Sequence, residues 1–476
     1  MAGKKNAFYS NSVLIFITRF FPSLANLAVM MYYSKRLPES IYGNYNNFWI
    51  QLNVFYPIVS FGLPALIMTY SGDSVRRSIQ SIKTRQYLLF CTWAIALGST
   101  FAFMEWSRLQ MPFFVSLLFL LSYGLIFIFE SVVMVFKNFG LLIAVNIGYS
   151  VAYWLAHYFI LKDAFSVSKI FFILLIINAL RVFIYSIYVG YRLRAKQSEI
   201  TIVELPEMKK LRSLWFHLGL YDIIQNWSTW VDKFIISLIF SSSISAAYYN
   251  GSQNIPFLPL LISAAGTAVL MQLAAGEKHN EKEDTIRLMN QSGRVLSCIV
   301  FPVFFFLLAF SHEFFLKVFT NRYENAVPIF IAALLILPVR AYNFTTVLQR
   351  LHKGAIINKG AIGEIIIAML LMYPLYLWLG LPGLALSFVI STYMQATYYI
   401  VSTAKILEVS AFQLMPVANW LVKFVAIGVI FFGIHYFIIQ HVQGIAALLA
   451  GGGVMVVVMG AALLMEMRTA VRNHGH

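Results

Sequence analysis

The sequence is short of charge: Asp, Glu, Lys and Arg make up 11% of its 476 residues, against roughly 25% in a soluble globular chain. That scarcity excludes a soluble multidomain enzyme, and the 60% of apolar residues excludes a disordered chain. Cysteine is nearly absent. Cys91 and Cys298 both lie in apolar runs without metal-ligand spacing, so neither a disulfide scaffold nor a metal site is expected. Acids are scarcer than bases, with 19 Asp plus Glu against 35 Lys plus Arg and a formal net charge of +16. In a soluble protein such an excess points to nucleic acid. In a membrane protein the cytoplasmic loops collect it, and no nucleic-acid partner is expected.

What the sequence has instead is long apolar runs. A spanning helix needs about 20 mostly apolar residues. Fourteen segments qualify, near 11–34, 44–70, 86–104, 112–136, 141–161, 169–191, 216–239, 245–273, 293–316, 326–348, 359–379, 381–403, 417–439 and 444–465. The expected fold class is therefore an all-α polytopic membrane protein with about 14 transmembrane helices. The first run holds Arg19 and Pro22 with no small-residue cleavage site behind it, which reads as a retained helix and not a signal peptide. Of the 35 basic residues, 23 fall in the N-terminus, the loops after even-numbered helices and the C-terminus; loops after odd-numbered helices hold seven and the helices five. That bias places both termini in the cytoplasm. The longest polar stretches, Arg192 to Leu214 and Glu277 to Gln291, fall on the same side, and the second reads as an amphipathic surface helix. The opposite connections are short, the longest being Glu105 to Met111, Lys162 to Ser168 and Ser311 to Asn325.

The second and eighth runs align without gaps at an offset of 204. Tyr45, Asn46, Ile58, Gly62 and Leu66 meet Tyr249, Asn250, Ile262, Gly266 and Leu270, five identities in 26 positions. Both runs carry paired prolines, Pro57 with Pro64 and Pro256 with Pro259. Proline removes a backbone donor and kinks a helix, and in lipid such a break survives where protein or a cavity satisfies the freed groups. A packing kink and a cavity between two repeated lobes are both open readings. The division that follows is a six-helix lobe over 1–195, a cytoplasmic linker over 196–214, a second six-helix lobe over 215–405, and an appended pair, helices 13 and 14, over 406–476.

Fourteen helices in this arrangement, the segment Leu37-Pro-Glu-Ser-Ile-Tyr-Gly-Asn-Tyr45, and Val231-Asp232-Lys233 followed by Ala246-Ala-Tyr-Tyr-Asn-Gly251 resemble the polysaccharide transporter branch of the multidrug/oligosaccharidyl-lipid/polysaccharide exporter superfamily. The resemblance covers essentially the whole chain. It implies a V-shaped pair of bundles around a central cavity, and a flippase of the bacterial inner membrane working by alternating access. It also implies the cargo, a polyprenyl-pyrophosphate-linked oligosaccharide for O-antigen, capsule or exopolysaccharide assembly. A polymerase or glycosyltransferases of the same pathway are the implied partners.

Independently of that resemblance, an ionisable residue inside a spanning helix is a functional candidate, because placing it there costs at least about 2.5 kcal/mol. The cations are Arg19, Arg181, Lys233, Arg340 and Lys423; the anions are Glu130, Asp222, Asp232 and Glu364. Arg19 and Arg181 both lie deep in the first lobe, and a guanidinium grips phosphate oxygens through a planar fork. Their other reading is a lock between helices. Arg340 and Glu364 either form a salt bridge or face a cavity, with Glu364 taking up a proton, which a carboxyl in low dielectric readily does. Asp232 and Lys233 project differently: Asp232 is expected toward the lobe interface, and Lys233 to snorkel to the outer surface. Asp222 and Lys423 are expected to snorkel toward the cytoplasmic face, and Glu130 to be structural. Trp227 and Trp230, three apart in mid-helix, are candidates for stacking on sugar rings.

The expected site is therefore Arg19, Arg181, Arg340, Trp227 and Trp230 for pyrophosphate and glycan, with Asp232 and Glu364 for ion coupling. No cofactor is expected beyond coupled H+ or Na+. Two rival functions are weighed. An ion-coupled multidrug exporter calls for acids deep in the first lobe, where the one intramembrane acid expected is Glu130. A membrane polymerase or ligase calls for a large outer loop with acid, base or arginine groups, and the candidate loops are short.

Overall fold

The computed structural model describes residues 2–69, 72–161, 165–194, 208–253, 281–351, 353–442 and 444–473, and these are helices joined by short turns, with no β-strand among them. In chain order the first helices are α1 (Ala2–Arg36), α2 (Glu39–Ser60), α3 (Leu63–Met68), α4 (Gly72–Ser81), α5 (Thr84–Leu109), α6 (Phe113–Val135), α7 (Phe139–Ile160), α8 (Val167–Arg194), α9 (Met208–Ile239) and α10 (Ser242–Gly251). There follow α11 (Glu281–Ala309), α12 (Ser311–Phe319), α13 (Val327–Leu334), α14 (Thr346–Arg350), α15 (Gly354–Leu379), α16 (Leu381–Leu407), α17 (Ala411–Leu414), α18 (Val417–His441) and α19 (Ile445–Asn473). Among the described residues ten helical segments are long and apolar enough to cross a membrane. They coincide with ten of the fourteen expected runs. The first, second and seventh runs are also helical, as α1, α2 with α3, and α9, and they carry the polar residues discussed below. The eighth is described only to Gln253; Gly266, Pro256 and Pro259 lie outside the described residues.

The chain packs as two compact units, Met1–Ala246 and Ala247–His476. Lipid tails are as apolar as leucine, so the helices of each unit are held by shape and by polar contacts more than by the hydrophobic effect. In the first unit α2 is the central element, packed on α5, α6 and α9, with α1 against α7 and α6 against α8. Phe48, Phe119 and Phe171 interlock α2, α6 and α8, the Phe48 and Phe119 rings 5.3 Å apart and edge-on. A buried hydroxyl network closes the far end: Tyr45 OH lies 2.8 Å from Tyr153 OH and 2.9 Å from His157 Nε2. In the second unit α15 and α16 form a tight hairpin about Gly380. There α11 packs against α18 and α19.

Several expectations are corrected here. The amphipathic stretch to Gln291 is no separate surface helix: from Glu281 it is the first part of α11, continuous to Ala309. The third spanning helix runs on to Leu109, so Glu105 belongs to its last turn and not to a loop. Ser311–Asn325 is likewise helical, as α12 and a 3-10 turn over Asn321–Ala326. Lys423 does not snorkel. It pairs with Glu466 at 2.8 Å and donates to the Arg294 carbonyl, stapling α11, α18 and α19 together. Lys233 is also buried, folded back along its own helix onto Asp232 at 3.1 Å and the Thr229 carbonyl at 3.3 Å. A lysine far from water gains more from a partner one residue away than from a reach it cannot complete.

Candidate functional site

In the first unit the site is organised by the interruption of α2. Helix α2 runs through Pro57 and stops at Ser60; Phe61 (φ 40°) and Gly62 (φ 67°) are left-handed, and Pro64 opens α3. Gly62 is required twice over, since a Cβ there would also lie 2.5 Å from the backbone of Gly219 on α9. The missing amide of Pro57 leaves the Asn53 carbonyl without its helical donor, and Asn226 Nδ2 of α9 fills that place. Trp227 Nε1 donates to the Val54 carbonyl at 3.1 Å and Trp215 Nε1 to that of Phe61 at 2.7 Å. On the other flank Trp93 Nε1 reaches the Ile58 carbonyl at 3.2 Å. Trp227 is thus tied to α2, with Trp230 half-buried one turn on.

The two expected arginines of this unit stand at either end of one line of tyrosines. Arg19 on α1 is exposed, and it and Asp222 of α9 both act electrostatically on Tyr56, the residue before Pro57. Tyr56 meets Tyr123 of α6 at 5.4 Å between ring centroids, and Tyr123 lies in the fields of Tyr149, Arg181 and Glu130. The Arg181 guanidinium sits 4.0 Å over the Tyr149 ring, a cation–π contact. It also pairs with Glu130 Oε1 and donates to Asn146 Oδ1, each at 3.0 Å, joining α6, α7 and α8. Arg181 Nε is buried without a hydrogen-bond partner among the described residues. So Arg181 is held and Arg19 is open. Sequence reading missed Tyr56, Tyr123 and Tyr149; the pairing of Tyr56 with Pro57 was the available signal.

In the second unit the site is a second interruption, one that hydropathy could not see. The tenth run is α13 to Leu334, a loose turn, a 3-10 turn over Pro338–Ala341, extended backbone at Tyr342, and then α14. Arg340 lies inside this break and is exposed, with no side-chain hydrogen bond or ion pair among the described residues. Tyr393 of α16 donates to the freed Leu335 carbonyl at 3.0 Å, and Tyr342 OH to that of Leu414 at 2.8 Å. Beside the break is a largely apolar cavity of about 660 Å³, lined by Leu335, Pro338, Tyr393, Phe304 and Phe424 among others. Glu364 is buried on α15, its oxygens taken by Thr392 Oγ1 and Gln395 Nε2, both at 2.7 Å. Arg340 and Glu364 feel each other's charge, yet among the described residues no ion pair joins them, so the salt-bridge alternative is not the one seen there. Asp232, also buried, belongs to the first unit with Lys233 as its ion-pair partner.

A helical membrane fold of this kind is shared with solved transporters and flippases. The lipid II flippase MurJ in an inward closed conformation superposes with a TM-score of 0.68 over 98% of this chain and 100% of that one, at 16% identity. A transporter of the MOP superfamily from Pyrococcus furiosus, described by a reversed polarity of its binding pocket, gives 0.58 over 83% and 94% at 13% identity. A MATE structure in the bent conformation gives 0.57 over 85% and 95% at 14% identity. The chain shares the fold of these transporters. Residues 42–328 match the family described as polysaccharide biosynthesis protein, and the chain belongs to that family. It is also 25% identical over 208 residues to the probable low-salt glycan biosynthesis flippase Agl15 of Haloferax volcanii, over 42% of this chain and 44% of that protein. The chain thus spans less than half the length of that relative.

Proposed function

We propose that this protein is a flippase that carries a polyprenyl-pyrophosphate-linked oligosaccharide across the membrane by alternating access, for O-antigen, capsule or exopolysaccharide assembly. The observation that carries the reading is the tyrosine line between two guanidiniums in the first unit. Arg19 is open at one end and Tyr56, Tyr123 and Tyr149 lead to Arg181 at the other. Guanidinium forks suit pyrophosphate oxygens, and aromatic faces suit sugar rings. Arg340, exposed at a break in the tenth run, supplies a third cation of the same kind, since irregular backbone at membrane depth belongs beside a cavity. The names of the glycan flippase and the lipid II flippase among the similar proteins support the same substrate class.

In this reading Trp227 and Trp230 add stacking surface, and Asp232 and Glu364 are the residues through which H+ or Na+ is coupled. The protein acts as a transporter and not an enzyme. The proposed topology is fourteen helices, two lobes of six and an appended pair, with both termini in the cytoplasm and the chain in the inner membrane. A polymerase or glycosyltransferases of the pathway are its proposed partners.

The test is translocation in proteoliposomes, following a labelled polyprenyl-pyrophosphate oligosaccharide from one leaflet to the other. Arg19→Ala is expected to lower the rate about 10–150-fold, the loss of a charge-assisted contact, with thermal stability unchanged. Transport unaffected by the substitution removes Arg19 from the site. Absence of transport of any lipid-linked glycan, with export of organic cations instead, overturns the reading in favour of a drug exporter.

A further inference from the structure

The last turn of α5 holds a carboxyl that the transport reading does not use. Glu105 is 0% exposed, and neither of its oxygens has a hydrogen-bond partner among the described residues. A charge buried without a partner is costly, so this carboxyl calls for a proton or a cation. Three residues on, the exposed Arg108 donates through Nη1 to the Ser237 carbonyl at 3.1 Å and through Nη2 to the Leu238 carbonyl at 2.8 Å. These are among the last carbonyls of α9, which a helix leaves without amide donors and where a cation is favoured by the helix dipole. Arg108 therefore latches the end of α5 to the end of α9.

Glu105 and Arg108 are neighbours on one helix face, three apart. Helices α2 and α6 pack against α5, and among the described residues they bring no ionisable group that acts on Glu105; Arg108 is the one charge that does. The guanidinium thus has two alternative partners, the α9 carbonyls and an ionised Glu105, and its fork cannot serve both fully. We propose that Glu105 is a proton-binding site that controls the Arg108 latch. With the proton on, Arg108 stays on the α9 carbonyls. When one proton leaves for the water that Arg108 and Gln110 face at that end of the helix, the carboxylate draws Arg108 back along α5 and the end of α9 is released.

The experiment reads the latch and not transport, so it stands apart from the substrate reading. Nitroxides are placed on Ser107→Cys and Ser241→Cys, both at exposed positions, in the full chain with Cys91 and Cys298 replaced by alanine and held in lipid nanodiscs. Pulsed EPR distances are collected between about pH 4 and pH 9, a span that brackets shifted carboxyls. The expected result is one short distance at low pH and a second, longer population that grows as pH rises. Glu105→Gln keeps the short distance throughout, Arg108→Gln gives the longer population at every pH, and Glu105→Asp titrates with a displaced midpoint. A wild-type distance distribution that does not change with pH overturns the proposal, as does a Glu105→Gln protein that titrates like wild type.

Discussion

Two interrupted helices, one in each unit, answer the same chemical problem in opposite ways. At the α2 break, four side-chain donors from α5 and α9 (Trp93, Trp215, Asn226 and Trp227) reach carbonyls between Asn53 and Phe61. At the break in the tenth run, Tyr393 satisfies Leu335, while the Arg340 guanidinium has no partner among the described residues and stands exposed. Unsatisfied polar groups in lipid cost several kcal/mol each, so a break closed from all sides is a structural joint. A break that keeps a bare cation is where we propose that an anionic headgroup is met. The two arginines of the first unit also differ in what surrounds them: Arg181 contacts Glu130, Asn146 and Tyr149, and Arg19 is left open.

The contrast breaks first at Arg340. If its exposure serves an anionic headgroup, Arg340→Gln lowers translocation about 10–150-fold and leaves the melting temperature of the purified protein nearly unchanged, because among the described residues the guanidinium makes no side-chain hydrogen bond or ion pair to lose. Arg340→Lys is expected to recover only part of the rate, since the ammonium lacks the planar fork. A fall in stability as large as the fall in transport, measured by thermal unfolding in detergent, would make Arg340 a structural group and erase the distinction between the two breaks.

The all-helical membrane class was legible in the sequence because a lipid environment imposes one ruler on every helix. Ten of the expected runs reappear as apolar helices. The breaks were only half legible. Pro57 and Pro64 marked the first, and the helix stops between them, at Phe61–Gly62. The second was hidden because Leu335–Phe344 is apolar enough to read as a continuous span, although Pro338 stands two residues before Arg340. Glu105 was lost by a boundary set five residues short of where α5 ends. Partners were not legible at all: Arg181 could be seen to need a lock or a ligand, but Glu130, 51 residues away, is next to it only in the folded helix packing.

The finest test compares two donors on adjacent residues of α9. Asn226 serves the Asn53 carbonyl, whose helical donor would be the missing amide of Pro57, whereas Trp227 serves Val54, opposite Ile58, which has an amide hydrogen of its own. Asn226→Leu therefore strands a partly buried carbonyl and is expected to cost about 1–3 kcal/mol of stability. Trp227→Phe removes only a supplementary interhelical bond, worth about 0.6 kcal/mol in membrane proteins, and keeps an aromatic face. Unfolding of the two variants under one denaturant gradient measures the difference. If the two losses are equal, proline's missing donor is not what Asn226 repairs, and the α2 break is held by packing at Gly62 and Gly219 instead. If Trp227→Phe leaves stability nearly untouched but slows translocation, the indole serves the substrate as well as the helix, and the joint and the site overlap at that one residue.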